Sequence, residues 1–381
     1  MQSIFVTTVF LLMILNPATQ PAAAETKCAP SCQTGRGAFC FIIVCMDSWK
    51  KPLKSDPLAW LLERDNPAVR RFALTDLLDR SPTDPEVVEA AQAVNASRPI
   101  KKILAAQQPE GYWVTPGPGY SPKYRATVWQ VIFLDQLGAH ASDAHVRAAC
   151  EYVLSHTQAA NGGFGASGQE HAAEPSNSAV IHCLNGNLLR ALLGFGFADD
   201  ARVQRAIEWQ ARAITGDQFS EYYSSGTSGP GFQCASNYGA ACAWGAVKAL
   251  RAPVRVPASL KTAQVKKAMQ IGSDFLLGHD PAIADYPAGK GKISANWFKL
   301  GFPSGYASDV LQNLETLAEL GHARDKRLRP AIDWLLSKQD AAGRWKNQNS
   351  YAGRGWTSIE PQGAISKWVT LRACRVLKAV G

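Results

Sequence analysis

Three cysteines, Cys183, Cys234 and Cys242, stand where a folded chain could use them together. Thiolates are soft metal ligands, so the set suits a metal ion. In an oxidising compartment Cys234 and Cys242 could instead pair as a disulfide, and buried cysteine also serves as plain packing. Asp309 is the best single general-acid residue, since burial among aromatic neighbours would raise its pKa. Basic and aromatic residues accompany it in Lys123-Tyr124-Arg125-Ala126-Thr127-Val128-Trp129, in Trp244 and Tyr306, and in Ser366-Lys367-Trp368. Trp129, Trp244, Tyr306 and Trp368 would line a central apolar cup, with Tyr124 beside them. Arg125 and Lys367, at positively polarised helix ends, would hold a diphosphate or carboxylate head group. In the competing arrangement Arg125 pairs with Asp309 across the interior and the tryptophans are packing. Cys150 and Cys374 fall inside helices away from these groups and read as core.

Those residues meet only if particular elements bring them together. Apolar periodicity predicts helices near 67–79 and 85–95, then five outer and inner pairs: 98–107 with 125–137, 143–157 with 179–195, 200–213 with 240–250, 264–277 with 307–320, and 325–338 with 365–379. Asp143, Ser178 and Asp325 are expected N-caps, and Gly138, Gly196 and Gly321 expected stops. No β-alternation competes, so the chain is expected to be all-α. Outer-to-inner loops are long (108–123, 159–177, 214–238, 279–305, 340–363), whereas most inner-to-outer turns are short. In antiparallel hairpins every long loop then lies at one end, with the N-termini of the inner helices and their unpaired N–H groups. That rim is the expected site. Cys183 falls near the start of one inner helix, Cys234 in the next long loop and Cys242 near the start of the following inner helix. Asp199-Asp200 falls on the opposite rim and reads as a helix cap, while Trp209 and Trp334 on outer helices should pack between layers.

The outer helices end in a repeated sentence. Gln107, Gly111 and Trp113 recur at the same offsets as Gln339, Gly343 and Trp345, and as Gln158, Gly162 and Phe164. Degenerate units fit the gaps around Trp209-Gln210 and around Phe275-Leu276-Leu277. A repeat of this kind builds interfaces between neighbouring units before it builds a site.

This Gln-Gly-Trp repeat on alternating helices resembles the squalene-cyclase and prenyltransferase (terpenoid cyclase) superfamily over roughly residues 56–381. The resemblance implies an (α/α)6 toroid, a closed ring of about six antiparallel helix pairs, in which the Gln caps helix ends and the Trp stacks on it. It further implies an isoprenoid or similarly apolar substrate. The Asp-x-Asp-Asp acid of the class II cyclases has no counterpart here. Other α/α toroids, the lanthipeptide cyclases and protein prenyltransferase β subunits, hold a catalytic zinc at this rim, which implies zinc on Cys183, Cys234 and Cys242. The lanthipeptide pattern has His directly after its second Cys, where this chain has Ala243, so that His182 or His171 would have to stand in for it. The rival expectations are a carbohydrate-active toroid, a glycosidase or polysaccharide lyase needing two facing carboxylates, and a non-catalytic toroid that binds or scaffolds.

With 381 residues and 46% hydrophobic content the chain can bury the large core such a ring needs. The net charge of +9 is scattered over sites such as Lys50-Lys51, Lys101-Lys102 and Lys266-Lys267, which reads as solvated helix faces and argues against nucleic-acid binding. Residues 4–15 are apolar and Ala22-Ala23-Ala24 offers a cleavage pattern, so residues 1–24 resemble a secretory signal without a basic start and too short to span a membrane. Starting at Met1 the protein is expected to be secreted or periplasmic, and Cys28, Cys32, Cys40 and Cys45 would suit two disulfides. Starting at Met46 it is expected to be cytoplasmic, and the Cys-rich segment within residues 25–55 is a start-site artefact.

Overall fold

The computed structural model describes residues 48–166, 175–218 and 227–381. The segment expected to be a signal, Cys28, Cys32, Cys40, Cys45 and His171 lie outside the described residues. The compact unit is Met46–Gly381. Its helices are α1 (Leu58–Leu61), α2 (Pro67–Phe72, continued by a π-turn at Ala73–Leu77), α3 (Pro85–Ala93), α4 (Arg98–Leu104), α5 (Thr127–Gln136), α6 (Ala144–His156) and α7 (His182–Gly194). They continue as α8 (Ala201–Thr215), α9 (Ala243–Arg255), α10 (Ala263–Leu277), α11 (Val310–Glu319), α12 (Arg329–Ser337) and α13 (Lys367–Val380). The chain is thus mostly helical, as the periodicity predicts. The strands among the described residues are a two-residue antiparallel pair, β1 (Ser228–Gly229) and β2 (Gln233–Cys234).

Two kinds of helix alternate. In α8 the buried positions Val203, Ala206, Ile207, Gln210, Ala211 and Ile214 form one stripe, Asp200 caps the start by accepting from the Arg202 N–H, and Gly216 ends it at φ +81°. Asp200 is therefore the helix cap its position suggested. In α5 every residue from Thr127 to Leu134 is buried, the signature of an inner helix enclosed on all sides. Packing follows this alternation: α5 lies against α7, α7 against α9, α9 against α11 and α11 against α13, which returns to α2 and its π-turn. The outer helices α6, α8, α10 and α12 lie against α5, α7, α9 and α11 in turn.

The repeated sentence is the glue between units. Trp113 is fully buried, donates from Nε1 to the Ile103 carbonyl at 2.8 Å, and its backbone N–H is received by the Thr127 hydroxyl at 3.1 Å. Trp345 repeats both bonds, to the Leu335 carbonyl at 2.8 Å and the Thr370 hydroxyl at 3.0 Å. Each ring thereby ties the end of an outer helix to the first turn of the next inner one. Gln107 donates to the carbonyls of Gly111 and of His145, in the first turn of the next outer helix, and Gln158 does the same to Gly162 and Arg202. In the last copy the side-chain oxygen of Gln339 accepts from the backbone of Lys54.

Several expectations need correction. The helix expected at 67–79 is interrupted by the π-turn, and Ser178 sits in a 3₁₀ turn at Asn177–Ala179, so that α7 begins after Ile181 with no side-chain cap. Asp325 caps the 3₁₀ turn Lys326–Leu328 ahead of α12. Asp143, Gly138, Gly196 and Gly321 hold the capping and stopping positions expected of them. Cys150 and Cys374 are buried core, and Trp209 is buried against Val180 and Ala213.

Candidate active-site cleft

Cys183, Cys234 and Cys242 line one cleft of about 370 Å³. The loop-length reasoning therefore places them correctly: Cys183 stands in the first turn of α7, Cys242 is the residue before α9, and Cys234 lies on β2. Pairing of residues 232–234 with the segment that leads into α9 makes the third placement, since the Cys234 N–H donates to the Ala240 carbonyl and the Cys242 N–H to the Phe232 carbonyl. Ile181, Phe232, Trp244, Ile293 and Tyr306 supply apolar walls, and the exposed Lys290 and Lys292 complete the lining. No carboxylate belongs to that lining among the described residues.

The thiols are unlike one another. Cys234 accepts a hydrogen bond from the Cys242 thiol and further bonds from the Ser236 and Asn237 backbone, which together push its pKa below the ordinary thiol range despite burial. Donating that bond, and burial, push Cys242 up. Burial also raises Cys183. Behind the cleft wall, the Lys248 ammonium on α9 donates to the Ser308 hydroxyl at 2.7 Å, and burial lowers its pKa to about 8.

Among the described residues no group of three or more His, Cys, Asp or Glu side chains is placed to hold a metal ion. The three thiols share the cleft, but two of them are spent on each other. Of the two histidines expected to join them, the described one is engaged: His182 Nε2 bonds the Gly229 carbonyl at 2.8 Å, and Nδ1 receives the Gln210 amide at 3.1 Å. Among the described residues the three thiols have no further free donor beside them, and no chemical step is routed through a metal.

Asp309 caps α11, accepting from the N–H of Gln312 at 2.7 Å and of Gly301 at 3.0 Å, so its oxygens are committed to backbone. Burial raises its pKa, yet it lies 4.0 Å from Arg372 and is not part of the cleft lining. It does not pair with Arg125. The Arg125 guanidinium stacks over the Trp356 ring at 4.4 Å, and Lys367 is buried in ion pairs with Glu63 and Asp65. Neither cation is part of the cleft lining. Tyr124 stacks on Tyr351 at 4.0 Å, and Trp129 packs between Tyr120 and Tyr124 with its Nε1 donated to the Tyr120 carbonyl. Trp368 lies flat on Phe302, 4.2 Å between centroids. Of the four aromatic residues expected to share a cup, only Trp244 and Tyr306 do, and the cup is this cleft.

The centre of the fold is charged. A second cavity, of about 360 Å³, is lined by side chains from α2 with its π-turn, α5, α7, α9, α11 and α13. Arg372 pairs with Glu315, Arg190 with Glu319, Arg255 with Asp135 and Arg375 with Asp76. Five of the chain's 40 basic residues line this cavity. The signal was present in the sequence, because Arg190, Arg251 and Arg372 each interrupt an apolar inner-helix run.

No protein-family model matches the chain, and no curated protein matches it. Among solved structures, a type II terpene cyclase, MstE from Scytonema, is 12% identical and superposes with a TM-score of 0.29 over 76% of this chain and 97% of its own. The same enzyme bound to geranylgeranyl dihydroxybenzoate gives 14%, 0.26, 76% and 96%, and a protein from Actinoplanes gives 15%, 0.29, 76% and 99%. Superpositions this loose transfer no residue's role. No described helix is long and apolar enough to cross a membrane.

Proposed function

We propose that this chain is a terpenoid-cyclase-like α/α toroid that takes an isoprenoid or similarly apolar molecule into the cysteine-lined cleft. The observation that carries the reading is the cleft's composition among the described residues: aliphatic and aromatic walls, no carboxylate, and two exposed lysines able to meet an anionic head group. Glycosidase chemistry needs two carboxylic groups about 5–9.5 Å apart. Among the described residues this cleft offers none, and the acids of the second cavity are bound to arginines, which favours the apolar reading over the carbohydrate one. Protonation of an alkene has no acid here either, since Asp309 is a helix cap. The thiols and lysines leave alkylation of the Cys234 thiolate by a prenyl diphosphate as the chemistry closest to hand, the new C–S bond replacing the C–O bond and the diphosphate leaving toward Lys290 and Lys292.

The same proposal includes closure of the ring into six pairs. It is supported by the six inner helices sharing one cavity, and by Arg375 and Lys378 of α13 reaching Asp76 and Asp79 beside α2. Gly343 of the last repeat also abuts the Ser55 backbone as Gly111 abuts Ala148. Thermal-shift titration tests the ligand class: geranyl diphosphate or an apolar carboxylate should raise Tm, by about 2.7 kcal/mol of stability at a hundred times Kd. Trp244→Ala should weaken the response and Trp334→Phe should not. A response to an oligosaccharide with none to any isoprenoid would overturn the reading.

A further inference from the structure

The central cavity holds one cation that its neighbours do not satisfy. Arg251 sits in the last turns of α9, its side chain only 12% exposed. Its nearest acids, Glu319 and Glu315, are 3.8 and 3.9 Å away, beyond hydrogen-bond reach, and its buried Nε–H has no partner among the described residues. Both acids are already taken, Glu319 by two nitrogens of Arg190 and Glu315 by two of Arg372. One turn later on the same face, Arg255 engages Asp135 and the Arg190 carbonyl through Nη1 alone. The cavity lining counts five arginines against four carboxylates, so one positive charge remains over. A buried guanidinium without a close acceptor is costly, and the economical remedy is an acceptor that enters from outside.

We propose that the central cavity is a binding site for a small oxyanion, a carboxylate or phosphate group received by Arg251 and the unused nitrogens of Arg255. Guanidinium forks suit such groups because two parallel N–H donors match two oxygens. The cavity has room for an organic anion of several carbons as well as for the free ion. Burial and the neighbouring Arg190 hold the Arg251 pKa down at about 10, the electrostatic pressure that an arriving anion would relieve. The site is separate from the cysteine cleft and stands or falls without it.

The experiment is titration calorimetry and thermal shift on the full chain with inorganic phosphate and, separately, succinate, at ionic strength held constant with sodium chloride. A saturable Tm rise with either probe is expected, lost in Arg251→Gln, weakened at least tenfold in Arg251→Lys, and retained in the cleft variant Trp244→Ala. Which probe saturates at lower concentration separates a phosphate ligand from a carboxylate one. A rise that never saturates, no rise at all, or an equal rise in Arg251→Gln would overturn the proposal. Should Arg251→Gln not fold, saturation in the unaltered protein and its weakening in Arg251→Lys decide the matter alone.

Discussion

Arg372 grips Glu315 through two nitrogens, Nε at 3.0 Å from both carboxylate oxygens and Nη2 at 2.6 Å from Oε2, with the two side chains only 4% and 6% exposed. The neighbouring Arg372 and Arg251 guanidinium groups outweigh burial and hold the Glu315 pKa down at about 2. Removing one member leaves the other charged and buried. Glu315→Leu should therefore cost about 3–5 kcal/mol in urea unfolding, whereas Glu315→Leu combined with Arg372→Met should recover most of it. Equal losses in the single and double variants would show that the pair is not the determinant.

The repeat makes a second prediction. Trp113→Phe removes the indole N–H from the Ile103 carbonyl and should cost about 1–3 kcal/mol, and Trp113→Ala about 3–5 kcal/mol. Gly111 has φ +97°, and a Cβ there would lie 2.6 Å from the Ala148 carbonyl oxygen. Gly111→Ala should thus cost ~2 kcal/mol or more. Chemical denaturation checks all three, and losses below about 0.5 kcal/mol would contradict the interface role.

Legibility followed the length scale of the signal. The helices were readable because each carries two or more turns of periodicity, and Cys183 and Cys242 were placed because loop lengths fix which rim a helix start occupies. Cys234 reaches the same cleft through a single bridge, Gln233 to Ala241, too short to leave any alternation to detect. The positions of Asp309, Arg125 and Lys367 outside the cleft lining were not legible, for one reason. Each is a polar residue beside an inner-helix start, and whether such a group faces a ligand or a neighbour depends on partners far away in sequence. Glu63 and Asp65 hold Lys367, Trp356 covers Arg125, and Gly301 binds Asp309.

His182 makes the stability of the fold depend on pH. Burial lowers its pKa from 6.5 to about 4, and its ring nitrogens are held by Gly229 and Gln210. The unfolded chain binds the proton more readily, so acid favours unfolding: the contribution is whole above pH 6.5 and is lost as pH falls toward 4. The loss should approach about 3 kcal/mol across that window. Urea unfolding from pH 7 to 4 should show this slope, reduced in His182→Gln. An unchanged slope in the variant would assign it to other groups.

The hydrogen bond from Cys242 to Cys234 predicts which thiol reacts. With its pKa pushed down, Cys234 should be mostly thiolate at pH 7, while Cys183, Cys150 and Cys374 are raised by burial and stay protonated. Iodoacetamide labelling followed by peptide mass spectrometry should find Cys234 modified first. The pH profile tests the cause as well as the order, because an ordinary thiol gains close to tenfold in rate between pH 7 and 8 whereas one already ionised gains almost nothing. Lower basicity also weakens the nucleophile, so the absolute advantage at pH 7 should be modest, about three- to sixfold over an exposed thiol. Cys242→Ala removes the donor and should restore the steep profile at Cys234, while Cys183→Ala should leave it flat. A steep profile in the unaltered protein would mean that Cys234 is an ordinary thiol, and the cleft would lose its nucleophile.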